Sequence, residues 1–216
     1  MNQRFSSHVF FGSYSPFSAL CSAALIIMAS SRFALALICA GALLWVYVAT
    51  ALIFSSARSI MPARGKYLIL LFLSSFLCGI FMISMSLLNP LIIMGTGFFL
   101  LLIPVCFLGS GFFEASESVA TVDVFLRAFF EALVLAGIIL AFALVREPLG
   151  LGTLSFPGSA QGIVEIFNIR EEGNFIPVGI LSVSSGGLLL LGYVMALFRY
   201  LRDQSGNRPQ ENGEQA

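Results

Sequence analysis

Four cysteines lie in apolar stretches of the chain rather than in its polar connections: Cys21, Cys39, Cys78 and Cys106. Thiolates are soft ligands that suit iron, so cysteines at membrane depth raise the question of a metal or redox centre. Cys21, in FSALCSAAL, and Cys106, two residues after Pro104 in LLLIPVCFLGSG, lie beside residues that interrupt helices. Two thiolates are half of the set that a cluster takes, so a second chain would have to supply the other half. We interpret Cys39 and Cys78 as small buried hydrophobic residues.

Few other residues offer chemistry. Glu131 is the only carboxylate inside a predicted span. An intramembrane carboxylate suggests an ion path, but pairing with Arg127 four residues earlier would give it a structural role, which we favour. Arg146 and Glu147 come after the same span, and we expect a solvated helix end there. The sequence contains no Walker loop, GxGxxG, CxxC or flavin-attachment motif, so we expect this chain to have no catalytic site of its own.

The composition indicates an integral membrane protein. Of 216 residues, 58% are hydrophobic and only 10% are charged, and the chain contains 22 phenylalanines. A soluble domain of this size could not bury so much apolar surface. The formal net charge is zero, which argues against binding to nucleic acid. We predict no removable signal peptide.

The apolar runs predict an all-α membrane protein with six transmembrane segments. A helix needs about 20 apolar residues to cross a bilayer. The first segment, Phe17–Ala29, is too short for this, and Asn89-Pro90 favours a turn that divides a long uncharged run. We therefore expect the first and fourth segments to be short or broken. The second to sixth predicted segments are, in order, Phe33–Phe54, Tyr67–Leu87, Leu91–Leu108, Val124–Val145 and Phe175–Phe198.

Basic residues orient these segments. With six crossings, both termini and the loops after the second and fourth spans share one side, which collects eight of the Lys and Arg residues against three on the other. The positive-inside rule then places both termini in the cytoplasm of a multi-pass protein of the inner membrane. We predict a membrane domain over residues 1–203 and a disordered tail over 204–216.

The segments divide into halves of three, over about residues 9–88 and 91–198. An odd number per half means that two repeats would insert with opposite orientations, as inverted 3+3 repeats. Cys21 and Cys106 would then be related by a pseudo-twofold axis near the middle of the membrane. Paired interrupted segments of this kind point to a midplane site, although two equivalent cysteines could also arise by chance.

Several motifs resemble one family of membrane subunits. The stretch VREPLGLGTLSFPG (145–158) is similar to the segment after the fifth helix in subunits D and E of the Na+-translocating NADH:quinone reductase (Nqr) and subunits E and A of the Rnf complex. SALCSAAL resembles the cysteine motif of the family's first helix, LLIPVCFLGSG that of its fourth, and IMPARGKYLIL (60–70) one of its loops. Ser22 and Val105 replace a proline and an asparagine of the family pattern. The chain thus resembles a divergent member of the NqrD/RnfE type.

The resemblance implies a redox function. In that family, two paralogous subunits each contribute two cysteines to an iron or [2Fe–2S] centre at their interface. The matching residues here are Cys21 and Cys106, the partner would be an NqrE/RnfA-like subunit beside other Rnf/Nqr-like subunits, and the complex would couple electron transport to translocation of Na+ or H+. Catalysis would belong to the complex, a redox-driven ion translocase.

The alternative is a small secondary transporter or substrate-capture subunit with inverted repeats and no redox role. In that interpretation the cysteines are packing residues and the broken helices bind a solute. The segment at 161–175, QGIVEIFNIREEGNF, is amphipathic, and we expect it to lie along the outer surface.

Overall fold

The fold is helical, as the sequence predicts, with one short β-hairpin that the sequence analysis did not predict. The computed structural model describes residues 16–57, 66–109, 121–158, 163–168 and 179–206. The elements in these ranges are α1 (Pro16–Ala29), α2 (Phe33–Ala57), α3 (Lys66–Leu88), α4 (Pro90–Leu100), α5 (Leu102–Gly109), α6 (Thr121–Leu151), β1 (Thr153–Pro157), β2 (Ile163–Asn168), a 3-10 turn (Gly179–Leu181) and α7 (Ser184–Gly206).

Among the described residues, four stretches of helix are long and apolar enough to cross a membrane, as expected of a multi-pass membrane protein. They are α2, α3 from Tyr67 onward, α4 and α5 taken together, and α6. Helix α1 has only 14 residues, as its short apolar run predicts. The apolar part of α7, Ser184–Leu197, is also shorter than a full crossing. It begins nine residues after the predicted start at Phe175, which lies outside the described residues.

Helix α2 forms the centre of the bundle and packs most extensively against α6. Both helices bury alanines in the common core, among them Ala36 and Ala42 on α2 and Ala132 and Ala143 on α6. Small residues let two helix backbones approach closely, which supplies the van der Waals contact that stabilises helix pairs in lipid. By contrast, α3 carries large exposed apolar side chains such as Phe72, which is 73% exposed.

Both predicted interruptions of the long uncharged run occur. Helix α3 ends at Leu88, and α4 begins at Pro90 with Asn89 as its N-cap, because the side-chain oxygen of Asn89 accepts from the backbone N–H of Ile92. The fourth span then breaks at Leu101, between α4 and α5. Pro104, three residues later, lacks the N–H that would bond to the carbonyl of Leu100, and its ring disfavours a straight helix there.

The end of α6 corrects the expectation of a solvated helix end. The helix continues past the predicted Val145 to Leu151, and both Arg146 and Glu147 are only 1% exposed. Gly152, in the left-handed conformation at φ 70°, ends the helix. Burial is achieved because neighbouring elements supply bonds for both charged side chains.

The chain then turns into the antiparallel β1–β2 hairpin, with Thr153 paired to Asn168 and Pro157 to Ile163. The hairpin replaces part of the predicted surface segment, of which residues 169–175 lie outside the described ranges. Helix α7 reaches Gly206, so the first three residues of the predicted tail are helical, and residues 207–216 lie outside the described ranges as well.

Several connections gather at one end of the bundle, which we call the junction end. It contains the α1–α2 turn, the α3–α4 junction, the end of α6 with the β-hairpin, and the start of α7. Cross-links tie these parts together: Glu147 bonds to Phe33 and the amide of Asn89 donates to the carbonyl of Gly158. The predicted order of six alternating segments likewise expects these connections on one side.

Candidate functional site

Cys106 lies in the interior, on the short helix that follows the break in the fourth span. It is 2% exposed and belongs to the main hydrophobic core. Its helix α5 packs against α1, the helix that carries Cys21. The fold therefore brings together the two elements that hold the predicted cysteine pair. Only the backbone of Cys21 falls within the structure's description.

The break beside Cys106 is stabilised by a residue that the sequence analysis interpreted as plain packing. The thiol of Cys78, on α3, donates a hydrogen bond to the carbonyl of Leu100, with 3.3 Å between sulfur and oxygen. That carbonyl is the one that Pro104 leaves without its usual partner in the helix. A buried carbonyl without a partner is costly in lipid, so Cys78 stabilises the interruption that places Cys106.

Cys39, on α2, completes a group of three described cysteines in the same core. It is fully buried, and its thiol lies close enough to those of Cys106 and Cys78 for electrostatic interaction. Within the described ranges, no group of three or more His, Cys, Asp or Glu side chains is arranged to hold a metal ion. Of the two predicted ligands, Cys106 is the one whose side chain the structure describes.

Tyr47, on α2, lies in the same buried core as Cys106. Its ring is 2% exposed and packs against that of Phe107, with 4.5 Å between ring centroids. Its helix α2 packs against α5, which carries Cys106, and against α6, which carries Glu131. Glu131 itself is half-buried. Sequence reasoning identified Glu131 but missed Tyr47, because nothing in the local pattern of α2 distinguishes a buried tyrosine from its apolar neighbours.

Arg146 makes the most extensive set of polar contacts of any described side chain, and it lies at the junction end. All five of its N–H donors bond to oxygen. Nη1 donates to the carbonyl of Ile27 at 2.5 Å and to the hydroxyl of Ser30 at 3.1 Å. Nε and Nη2 donate to the turn before α7, through the carbonyls of Leu181, Ser182 and Val183 at 2.8, 3.2 and 3.0 Å.

These acceptors explain why a guanidinium is buried here. The carbonyl of Ile27 is in the last turn of α1, where helix carbonyls lack partners in their own helix and carry the negative end of the helix dipole. A positive side chain satisfies that carbonyl and compensates the dipole. The planar fork of arginine reaches two separate segments at once, which a lysine ammonium cannot do with the same number of bonds.

Glu147 caps the start of helix α2. Its Oε2 accepts from the backbone N–H of Phe33 at 2.6 Å, at the positive end of α2. Ser155, from β1, accepts from the next N–H, that of Ala34, at 3.4 Å. Arg32 precedes the helix and has no side-chain oxygen, so α2 receives its N-terminal caps from α6 and β1. Among the described residues, Oε1 of Glu147 has no hydrogen-bond partner.

We call Arg146 and Glu147 with their bonds the charge clip. The two residues are adjacent on α6 and therefore point in different directions around the helix. The positive one holds the end of α1 and the negative one holds the start of α2, so each matches the dipole of the helix end that it meets. The sequence signal for this arrangement was present, since two charges directly follow a long apolar run, but their hydrogen-bond partners on α1 and α2 lie more than a hundred residues away.

Glycines make room for the charge clip. A Cβ at Gly187, on α7, would lie 3.1 Å from Cζ and Nη1 of Arg146 and 3.1 Å from Cγ2 of Ile27. A Cβ at Gly186 would collide with the backbone of Ile180, and one at Gly150 would lie 2.9 Å from the backbone nitrogen of Ser182. The start of α7 can therefore lie against α6 only because these positions carry no side chain.

No family model matches the chain, and no curated protein matches it.

Proposed function

We propose that this chain is a membrane subunit of an ion-translocating electron-transport complex of the Rnf/Nqr type. In this proposal its six segments form two inverted repeats of three, both termini are in the cytoplasm, and the complex lies in the inner membrane. The observation that carries the proposal is the contact between α1 and α5, the elements that hold Cys21 and Cys106. The resemblance to that family rests on the motifs VREPLGLGTL, SALCSAAL and LLIPVCFLGSG.

Cys21 and Cys106 would supply two of four thiolates to an iron or [2Fe–2S] centre, and the partner subunit would supply the other two. Such a centre, when bound, carries one electron at a time across the middle of the bilayer. The residues around it fit this task, because the core that contains Cys106 is apolar and excludes water. The break at Leu101 leaves Cys106 on a helix of eight residues, where its side chain is buried in that core.

Ion movement would use groups beside the cysteines. Tyr47 and Glu131 are the polar side chains that interact electrostatically on the α2 and α6 side of Cys106. A change of charge at the cysteines would therefore be felt by Glu131 across the apolar interior, where electrostatic interactions are weakly screened. Whether the ion is Na+ or H+, a half-buried carboxylate at this position would form part of its path.

The test is to co-express the chain with its paralogous partner and to measure bound iron and its EPR signal. Cys21→Ala and Cys106→Ala should each abolish the EPR signal and lower bound iron to background, because each removes a ligand. Cys39→Ala is the matched control, since it removes a buried thiol from the same core and should leave the iron in place. Iron unchanged by both ligand substitutions would exclude the redox role and favour the secondary transporter.

A further inference from the structure

We propose that Arg146 is the positioning residue for helix α1 and, through that helix, for Cys21. The guanidinium bonds to Ile27 and Ser30 at the C-terminal end of α1. Cys21 lies six residues before Ile27, about 9 Å along the same helix. The importance of Cys21 as a ligand rests on the proposed function, whereas the anchoring of α1 does not.

Helix α1 needs an anchor because its length does not fix its depth. The long helices match the hydrocarbon thickness, and their polar ends hold them at both interfaces. Helix α1 has 14 residues and cannot reach both interfaces. Its position along the membrane normal must therefore come from contacts with other elements. The bonds from Arg146 are the charge-assisted ones among those contacts, and such bonds are about twice as strong as neutral ones.

The same guanidinium also holds the start of α7. Its remaining donors bond to the three consecutive carbonyls of the turn that precedes α7. Arg146 thus joins the end of α1 and the start of α7 through one rigid group, and α1 and α7 are in direct contact. Loss of the guanidinium would remove a hydrogen bond from each of these half-buried carbonyls and from the buried carbonyl of Ile27, and water or movement of α1 would have to replace those bonds.

Gly187 offers an independent way to test the anchor without removing a charge. A methyl group there would press on both the guanidinium and Ile27, which are the two partners of the shortest bond in the charge clip. Gly192, on the same helix, is exposed, and a Cβ there would meet nothing within 4 Å. The pair Gly187→Ala and Gly192→Ala therefore separates pressure on the clip from the general effect of adding a methyl group to α7.

The experiment measures alkylation of each native cysteine in the purified full-length chain in nanodiscs. N-ethylmaleimide is the probe, and mass spectrometry of peptides gives separate rates for Cys21 and Cys39. The ratio of the two rates reports on α1 alone, because Cys39 lies on the central helix α2 and is fully buried. General loosening of the fold would raise both rates and leave the ratio unchanged.

We expect the ratio to rise about tenfold in both Arg146→Gln and Gly187→Ala, the factor that corresponds to a 1.4 kcal/mol easier local opening. Arg146→Lys should show a smaller rise, because an ammonium keeps the charge but has three donors. Arg32→Gln, in the α1–α2 turn itself, and Gly192→Ala should match wild type.

An unchanged ratio in Arg146→Gln and Gly187→Ala would overturn the proposal, and so would an equal rise in Gly192→Ala. The proposed function fails separately. If bound iron does not depend on Cys21, the redox role is excluded. A raised alkylation ratio would still show that Arg146 anchors α1.

Discussion

At the scale of single residues, the interior of this protein shows how a proline and a cysteine on different helices can depend on each other. Pro104 frees the carbonyl of Leu100, and Cys78 donates to that carbonyl. Each residue is unremarkable within its own helix. Together they give a broken span whose polar backbone is satisfied inside the membrane.

A double-mutant cycle tests this dependence. Cys78→Ala should lower the free energy of unfolding by about 1 kcal/mol, because it leaves a buried carbonyl unsatisfied. Pro104→Ala restores an N–H that can bond to Leu100, so the same cysteine substitution should cost less in that background. We expect a coupling energy of about 0.6 kcal/mol, the size usual for hydrogen bonds between membrane helices. Unfolding of the detergent-solubilised chain by SDS titration gives the four values.

Cys78→Ser keeps a donor and should behave more like wild type than the alanine variant does. Cys39→Ala serves as the control for loss of a buried thiol, and its effect should be additive with Pro104→Ala. Additivity of Cys78→Ala with Pro104→Ala would mean that the thiol and the helix break are independent.

The residue scale also shows what a sequence can and cannot reveal. Cys106 and the break near Pro104 follow from local rules, because a proline acts on the carbonyl four residues before it. The hydrogen-bond acceptors of Cys78 and Arg146 cannot be predicted from local rules, since they lie in other elements. Arg146 was expected in water and is instead buried, because four carbonyls from α1 and the turn before α7, together with the hydroxyl of Ser30, accept from its five donors.

At the scale of elements, hydropathy predicted helices α2 and α3 closely and α6 and α7 less well. The apolar run of α2 lies between Arg32 and Arg58, and that of α3 lies between Lys66 and Asn89-Pro90, so each run has a clear signal at both ends. In α6 the helix continues for six residues beyond Val145, because its charged residues are buried and capped. The β-hairpin was missed because amphipathic alternation in QGIVEIFNI fits a surface helix as readily as an edge strand when no partner strand is known.

Asn89 joins two elements, and its two bonds can be separated. Its side chain caps α4 through Ile92 and donates to the carbonyl of Gly158 at the end of β1. Asn89→Ala removes both bonds and should lower the free energy of unfolding by about 1 kcal/mol or more. Asn89→Ser keeps a capping oxygen but is too short to reach Gly158, so its cost should be smaller and should measure the hairpin bond alone.

The matched control is Ser84→Ala on α3, where an exposed hydroxyl bonds to the carbonyl of Ile80 in its own helix. Its loss should leave the free energy of unfolding within about 0.5 kcal/mol of wild type. Equal values for the alanine and serine variants of Asn89 would show that the cap contributes nothing to α4.

At the scale of the whole molecule, the junction end defines which parts of the chain must lie on the same side of the membrane. The α1–α2 turn, Asn89 and the start of α7 meet there through the bonds of Arg146, Glu147 and Gly158. Eight of the eleven basic residues belong, by sequence, to the connections and termini at the other side. From the positive-inside rule we therefore predict that the junction end is the outer one.

Labelling in intact cells tests this orientation. Ser184 is exposed at the start of α7, so Ser184→Cys should react with a membrane-impermeant maleimide added from outside. Asn212→Cys, in the C-terminal tail, should react only after the membrane is permeabilised, because the tail is predicted to be cytoplasmic. The unsubstituted chain measures the background, including any labelling of Cys21, whereas Cys39, Cys78 and Cys106 are buried. The opposite pattern would invert the topology, and labelling of both positions from one side would mean that α7 does not cross the membrane.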